Sequence, residues 1–537
     1  MVLTSRHPGG GGQWWRDAVL YHVYCRSFAD SNGDGIGDLR GIVDHLDHLS
    51  WLGVDAVWLS PTFPSANADW GYDVTDYHDV EPDLGSLDDL DELVARAADR
   101  GIRILLDLVP NHTSADHPWF REARGSRRAP RRDWYVWADP RPGGSAPNNW
   151  LDFSGAPAWT YDQPSGQYYL HNFLAAQPDL NWWHPEVRRT FDGILRFWFD
   201  RGIAGFRIDT ANVIVKDRRL RDNPPARPGD HPLVRLHGQR RVFNGQRPEV
   251  HAVLRRWRRI CERYRPPRLL VGETWFFDLP LLARFYGRHD EGIQLAMNFP
   301  FLFAPFQAAA LRTVVGDTEA ALAPWAWPLW VGSNHDAPRM ATRWCGGDPA
   351  RARCALLILL TLRGTPILYY GDELGMTDVA VAPEAVRDPL GRRGPGRPGR
   401  DAARTPMRWS PGANAGFCVA GATPWLPVGE GTGVDVASQR GQPTSTLTLC
   451  RDLVALRRAS DDLRGGRYTL LPGPAETWVW RRGESTVIAV NLGAESRRVD
   501  GVHGRVALST GRDRDGDGVW GAIELVPWEG VVVVGGS

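Results

Sequence analysis

Short apolar runs of strand length and strand composition recur along the chain: AVLYHVY (18–24), VDAVWL (54–59), IRILLDLV (102–109), GFRIDT (205–210), LLVGET (269–274), IQLAMNF (293–299), LWVGSN (329–334) and TPILYYG (365–371). Between them lie segments with helical spacing, such as LDDLDELVARAADRG and PEVRRTFDGILRFWFDRG. In the first, Leu87, Leu90, Val94 and Ala97 fall on one face and Gly101 marks the stop. Eight strand-then-helix units predict an α/β fold, a (β/α)8 TIM barrel. Three stretches depart from the pattern. Residues 111–178 are rich in Trp, Pro, Arg and Tyr and too long for an ordinary loop, so they read as a small domain inserted after strand three. The Arg/Pro/Gly-rich stretch 387–404 is an excursion after strand eight. From residue 466 alternating runs (TWVWRR, STVIAVNL, GVVVV) predict a C-terminal antiparallel β domain. The expected division is therefore a barrel over 1–110 and 179–465, an inserted domain over 111–178 and a C-terminal β-sandwich-like domain over 466–537.

Composition narrows the function. The chain has 537 residues, enough for several folding units, and is 42% hydrophobic and 23% charged. Basic and acidic residues number 63 each, so no net field recruits nucleic acid or an anionic membrane. Lys216 is the only lysine. The six cysteines form no CxxC pair and read as reduced, packed thiols. No apolar leader and no run of eighteen apolar residues occurs, so a cytoplasmic enzyme with no membrane partner is expected. The 25 tryptophans could supply sugar-stacking surfaces, although a large core accounts for most of them.

In such a barrel, chemistry is built at the C-terminal ends of strands. Strand three ends in DLVPNHTS, strand four in GFRIDTAN, strand five in VGETW and strand seven in VGSNHDAPR. Three of these place Asp209, Glu273 and Asp336 around one mouth, with His112 and His335 facing the same space. One such residue alone would be an ordinary turn or cap. Glycosidic hydrolysis needs a set like this: one carboxyl to protonate the leaving oxygen, another ionised to meet the developing oxocarbenium ion. Arg207 shares a strand face with Asp209 and is expected to favour its anion. Glu273, followed by Thr, Trp and two Phe, lies in apolar company suited to the acid.

DLVPNHTS, GFRIDTAN, VGETW and VGSNHD, in this order, resemble the four signature segments of the α-amylase superfamily, glycoside hydrolase family 13. GYDVTDY (71–77), QPDLNWWHPEV (177–187) and GRDAARTPMRW (399–409) are similar to its α-glucosidase and oligo-1,6-glucosidase branch. The resemblance covers nearly the whole chain. It implies that Asp209 is the nucleophile of a retaining mechanism, Glu273 the acid/base, and Asp336 the group holding the sugar's 2- and 3-hydroxyls. It implies that His112 and His335 bind the same non-reducing glucose and that Arg207 orients the nucleophile. Asp69 and Tyr72 would close the pocket and stack on the ring, Arg400 would pair with Asp69, and Asp107 and Asn111 would support the site from behind.

The QPDLN segment implies a blind pocket releasing single glucose units from small oligosaccharides (maltose, malto-oligosaccharides or aryl α-glucosides). Thr210 stands where the family discriminates linkages and tilts the reading to α-1,4. Transglucosylation and α-1,6 cleavage are the alternatives, and a monomer or homodimer is expected. A non-catalytic partner subunit of the same family would carry a membrane span and lack the full carboxylate set. Arg408 replaces a glutamine common in relatives, outside the expected site.

Two acidic runs invite a metal. In DSNGDGIGD, Asp30, Asn32, Asp34, the Ile36 carbonyl and Asp38 match positions 1, 3, 5, 7 and 9 of a helix–loop–helix calcium loop, but Gly41 replaces the bidentate Glu at position 12. The resemblance makes it a structural divalent-ion loop after strand one, Ca2+ first and Mg2+ second. DRDGDGVWGAIE (513–524) satisfies the spacing better, yet strand-like runs flank it, so it reads as a hairpin loop.

Overall fold

A computed structural model describes residues 13–393 and 399–535. The leading segment 1–12 and part of the 387–404 excursion lie outside the described residues. All eight predicted runs contain a strand: β1 (Leu20–Val23), β2 (Ala56–Leu59), β3 (Arg103–Leu108), β4 (Gly205–Ile208), β5 (Leu269–Gly272), β6 (Leu295–Ala296), β7 (Leu329–Val331) and β8 (Thr365–Tyr369). They pair in parallel, and β8 returns to β1 with Ile367 opposite Leu20. A single parallel bridge, Met297 to Leu329, joins β6 to β7 and closes the ring.

Alternation along these short strands sorts the core into two layers. Leu20, Ala56, Trp58, Leu105, Leu269, Val271, Leu329, Val331 and Ile367 fill the lumen. Tyr21, Val57, Leu106, Phe206, Ile208 and Leu270 face the surrounding helices. The helix Leu87–Asp99 begins with a reciprocal Ser86–Asp89 capping box and ends before Gly101, whose φ of 73° lets the chain turn away.

Within 111–178 a three-stranded sheet forms from Trp137–Ala138, Gln167–Leu170 and Trp159–Asp162. The hydrophobic pattern does not mark a second excursion, residues 217–249 between β4 and the helix Val250–Cys261. It docks on the inserted unit: Trp150 Nε1 donates to Arg221 O (2.8 Å), Asn149 Nδ2 to Asn223 O (2.9 Å) and Gln239 Nε2 to Asn149 O (2.8 Å). Two separated segments thus build one wall above the barrel.

The C-terminal strands are β9 (Tyr468–Leu471), β10 (Thr477–Arg482), β11 (Thr486–Asn491), β12 (Arg497–Ser509), β13 (Gly518–Leu525) and β14 (Gly530–Val534), in the order β9-β10-β11-β14-β12-β13. The acidic run at 513–517 is the loop between antiparallel β12 and β13, with Asp515 accepting from Ser509 N (2.7 Å) and Arg512 Nε (2.8 Å). All six cysteines are buried with free thiols. Among the described residues no helix is long and apolar enough to cross a membrane.

Strand four starts with Gly205 because β5 runs too close for a side chain. A Cβ there would lie 2.3 Å from Leu269 O and 2.8 Å from Leu269 Cβ. Gly205→Ala is expected to push β4 from β5, lowering the thermal midpoint and cutting turnover at least about 10-fold, as small misplacements of reacting groups do. A variant with wild-type turnover would show that this contact does not set the spacing of the two strand ends.

Candidate active site

The phase of alternation that puts Leu105 and Val271 in the lumen also puts Asp107, Arg207 and Glu273 there, one step nearer the mouth. Arg207 is 1% exposed and its guanidinium faces three carboxylates. Nη1 donates to Asp107 (2.9 and 3.1 Å) and to Asp209 Oδ1 (2.9 Å), while Nη2 lies 2.8 Å from Glu273 Oε2. Thr210, just beyond β4, has φ of 43°, an unusual conformation for a β-branched residue. That turn aims its amide at Glu273 Oε2, 2.7 Å away. Glu273 Oε1 accepts from the Trp275 indole at 3.1 Å. The surroundings of Glu273 are therefore more polar than the apolar residues following it suggest.

Across the mouth, Asp336 Oδ1 accepts from Arg400 Nη1 (3.1 Å) and Arg404 Nη2 (3.0 Å), and its other oxygen lies 3.2 Å from His335 Nε2. Arg400 also pairs with Asp69 (2.6 Å) and Asp388 (2.7 Å). Tyr72 lies parallel to His335, with rings 5.5 Å apart and 1° between their planes, and its hydroxyl donates to Asp107 Oδ2 at 3.1 Å. His112 Nε2 donates to Tyr72 O at 2.9 Å. All nine residues expected in the pocket, Asp69, Tyr72, His112, Arg207, Asp209, Glu273, His335, Asp336 and Arg400, thus belong to one bonded network. Asp107 and Asn111 stand behind it. Asn111 bonds Asp179 of the QPDLN segment (3.0 Å), which pairs with Lys216 (2.8 Å).

Burial pushes Asp209 well above the usual carboxylate range; Arg207 pulls it down, and Glu273 and Asp107 push it up again. Arg207 thus acts on Asp209 in the expected direction, but burial outweighs it and the neighbouring acids add to burial. Asp107 is likewise pushed up to about 7 by burial, against Arg207. Asp336 goes the other way: burial opposes ionisation, but His335, Arg400 and Arg404 hold it far below the ordinary range. Burial pushes His335 itself well below the ordinary imidazole range, against the pull of Asp336, and the permanent charges beside Asp336 are the two arginines.

Residues 22–466 match the alpha-amylase catalytic domain. The chain belongs to the alpha-amylase family. It is 42% identical over 467 residues to a probable alpha-glucosidase of Rhizobium meliloti strain 1021, covering 84% of each chain. It is 35% identical over 522 residues to an oligo-1,6-glucosidase of Heyndrickxia coagulans, covering 89% of this chain and 92% of that one. The crystal structure of an alpha-glucosyl transfer enzyme, XgtA, superposes with a TM-score of 0.90 at 39% identity, covering 97% of this chain and 99% of that one.

Within this family member, Arg404 and Asp388 join the site without being singled out by the sequence pattern, and Trp275, read from the sequence as apolar company of Glu273, joins it as a hydrogen-bond donor. Arg404 had a signal, since it lies in GRDAARTPMRW four residues after Arg400. Asp388 had none: its bond to Arg400 depends on how the excursion after β8 folds back. Arg408 points away and clasps the carbonyls of Gly429 and Gly431.

In the Asp30–Asp38 loop the acidic side chains meet the loop's own amides. Asp30 accepts from Asn32, Gly33 and Gly35 (3.0, 2.7 and 2.8 Å), and Asp34 from Ile36 (2.8 Å). Asp38 caps the helix Leu39–Asp44 through Gly41 N. Among the described residues no three acidic, histidine or cysteine side chains converge as a metal cluster. The loop's side chains are oxygen donors, the type that hard cations take.

The carboxylates give activity and stability different acid limits. An Asp209 raised by burial is ionised only above its raised value, so activity is lost as pH falls through that value. Asp388, with Arg400 beside it, is held down to about 2, so its stabilisation is present above the unfolded value and lost only as pH falls through about 2. The acid limb of kcat/KM is expected to have its midpoint above about 4, with circular dichroism unchanged across it. A limb at or below the ordinary aspartate value, or one coinciding with unfolding, would contradict this assignment.

Proposed function

We propose that this protein is a retaining, exo-acting α-glucosidase that removes terminal non-reducing glucose from short oligosaccharides. The observation that carries the reading is Arg207, whose terminal nitrogens face Asp209 and Glu273 at one barrel mouth. Carboxyls that share one guanidinium suit the closer spacing of retaining enzymes, about 5–5.5 Å, better than the wider inverting arrangement. Asp209 attacks the anomeric carbon while Glu273 protonates the leaving oxygen. Water, activated by the Glu273 carboxylate, then releases glucose from Asp209. Asp336 and His335 hold ring hydroxyls, His112 and Tyr72 line the same subsite, and the Asp69–Arg400 pair closes the end. That closed end supports exo action, because a longer chain has no path past it.

Thr210 supports an α-1,4 preference, since it adjoins the nucleophile and its hydroxyl lies 3.3 Å from Asp209 Oδ2. Glucosyl transfer to a sugar is the second reading, favoured by the likeness to XgtA. Six buried free thiols fit a reducing compartment such as the cytoplasm. We also propose that Asp30, Asn32, Asp34, the Ile36 carbonyl and Asp38 hold a structural Ca2+, or failing that Mg2+, bracing the loop after β1.

Nuclear magnetic resonance of the first product is expected to show α-glucose, and maltose is expected to be cleaved faster than isomaltose. Asp209→Asn should lower kcat by roughly 10^4-fold or more. β-Glucose as first product would overturn the retaining mechanism, and faster isomaltose cleavage would overturn the Thr210 argument. For the loop, chelation should lower the thermal midpoint and Ca2+ restore it, with KM unchanged. Asp34→Ala should abolish that response; a wild-type protein with the same midpoint under both conditions would exclude the ion.

A further inference from the structure

The two oxygens of Glu273 are engaged unequally. Oε2 faces Thr210 N at 2.7 Å and Arg207 Nη2 at 2.8 Å, whereas Oε1 meets only Trp275 Nε1 at 3.1 Å. Each oxygen accepts one hydrogen bond, but Oε2 alone lies against the Arg207 charge, so negative charge is favoured on Oε2 and the proton on Oε1. Neither group against Oε2 can turn aside. Thr210 N is aimed by a main chain held at positive φ, and Arg207 is also bound to Asp107 and Asp209. The indole is held too: Trp275 stacks on Phe299 at 4.4 Å and meets Phe303 at 5.9 Å, while its own amide donates to Asn212 Oδ1.

We propose that Trp275 is a positioning residue for the acid: with Oε2 held against Arg207 and Thr210 N, Oε1 carries the proton, and the indole N–H fixes that oxygen and stabilises the charge left there once the proton departs. This rests on the acid/base role of Glu273. In the first step a bond forms between Asp209 and the anomeric carbon, the glycosidic C–O bond breaks, and the Oε1 proton moves to the leaving oxygen. Negative charge then grows on Oε1, directly against the indole N–H. In the second step Oε1 takes a proton from the attacking water as the Asp209 ester breaks, and the hydrogen bond weakens again. The indole therefore assists the step that needs a strong acid and weakly opposes the return, which kcat/KM does not report.

A leaving group that needs little protonation should be indifferent to the indole. The test compares kcat/KM on maltose and on p-nitrophenyl α-glucoside for the full-length enzyme, Trp275→Phe, and the enzyme with benzothienylalanine at 275. The last keeps the ring's size and replaces N–H by sulfur, so it holds the packing if the phenylalanine variant does not. Maltose cleavage is expected to fall about 10–100-fold in both, the range of a lost hydrogen bond to a charged group, and nitrophenyl glucoside cleavage by less than about three-fold. Equal losses on both substrates would make Trp275 pocket wall and overturn the proposal, as would no loss on either. Glu273→Gln separates the two readings. If it lacks the leaving-group split, the acid/base role of Glu273 fails and the proposal with it; if it shows the split and Trp275 variants do not, the proposal alone fails.

Discussion

One buried guanidinium makes this active site possible. Three carboxylates at the top of a closed barrel would repel one another in a medium that screens poorly, and burial adds a further cost to each charge. Arg207 offsets this by facing Asp107, Asp209 and Glu273 at once, all within 3.1 Å. Trp58 lies beneath it with its ring 5.2 Å from the guanidinium carbon, itself stacked on His22 at 3.6 Å. A lone lumen charge would be expelled or neutralised; this one is held by partners on three neighbouring strands. The site exists because β3, β4 and β5 deliver those partners in the same phase.

A second set of charges faces the first across the mouth, and its logic is the opposite. Asp336 is shared by two arginines, so it stays an anion, while Asp209 shares one arginine with two other acids. Carboxyls of one chemical type thus receive different roles from the ratio of cations to anions around them. Tyr72 joins the two sets by donating to Asp107 and lying against His335. The inserted unit is tied in as well, through Gln177 on Asp69 and through Asn111 on Asp179 and Lys216. Whatever moves the inserted unit therefore acts on the sugar pocket.

Much of this was legible in the chain. Residues two apart on a short strand share a face, so Arg207 and Asp209 had to point one way and Phe206 and Ile208 the other. Polar residues at strand ends marked the mouth, and alternation after residue 466 marked the second sheet. The acidic run at 513–517 shows the limit of spacing rules. It fits a metal loop in sequence, yet it turns between antiparallel strands and binds its own neighbours. Arg404 and Asp388 were not legible as partners, since their bonds to Asp336 and Arg400 join segments far apart in the chain. The 217–249 excursion escaped notice because its hydrogen bonds go to another loop, which leaves no periodic trace.

Sequence by itself determined the barrel, the strand ends that carry chemistry, and the residue types that reach the mouth. These follow from local periodicity, a property of neighbouring residues. Tertiary structure alone decided in which direction Asp209, Asp107 and Asp336 are shifted, which oxygen of Glu273 faces the guanidinium, and which arginine serves which acid. Those depend on burial and on distances between residues remote in the chain, and burial strengthens electrostatic interactions that water would screen. Two residues on one strand face were enough to show that Arg207 pulls on the Asp209 carboxyl. Only the closed mouth shows that burial outweighs that pull.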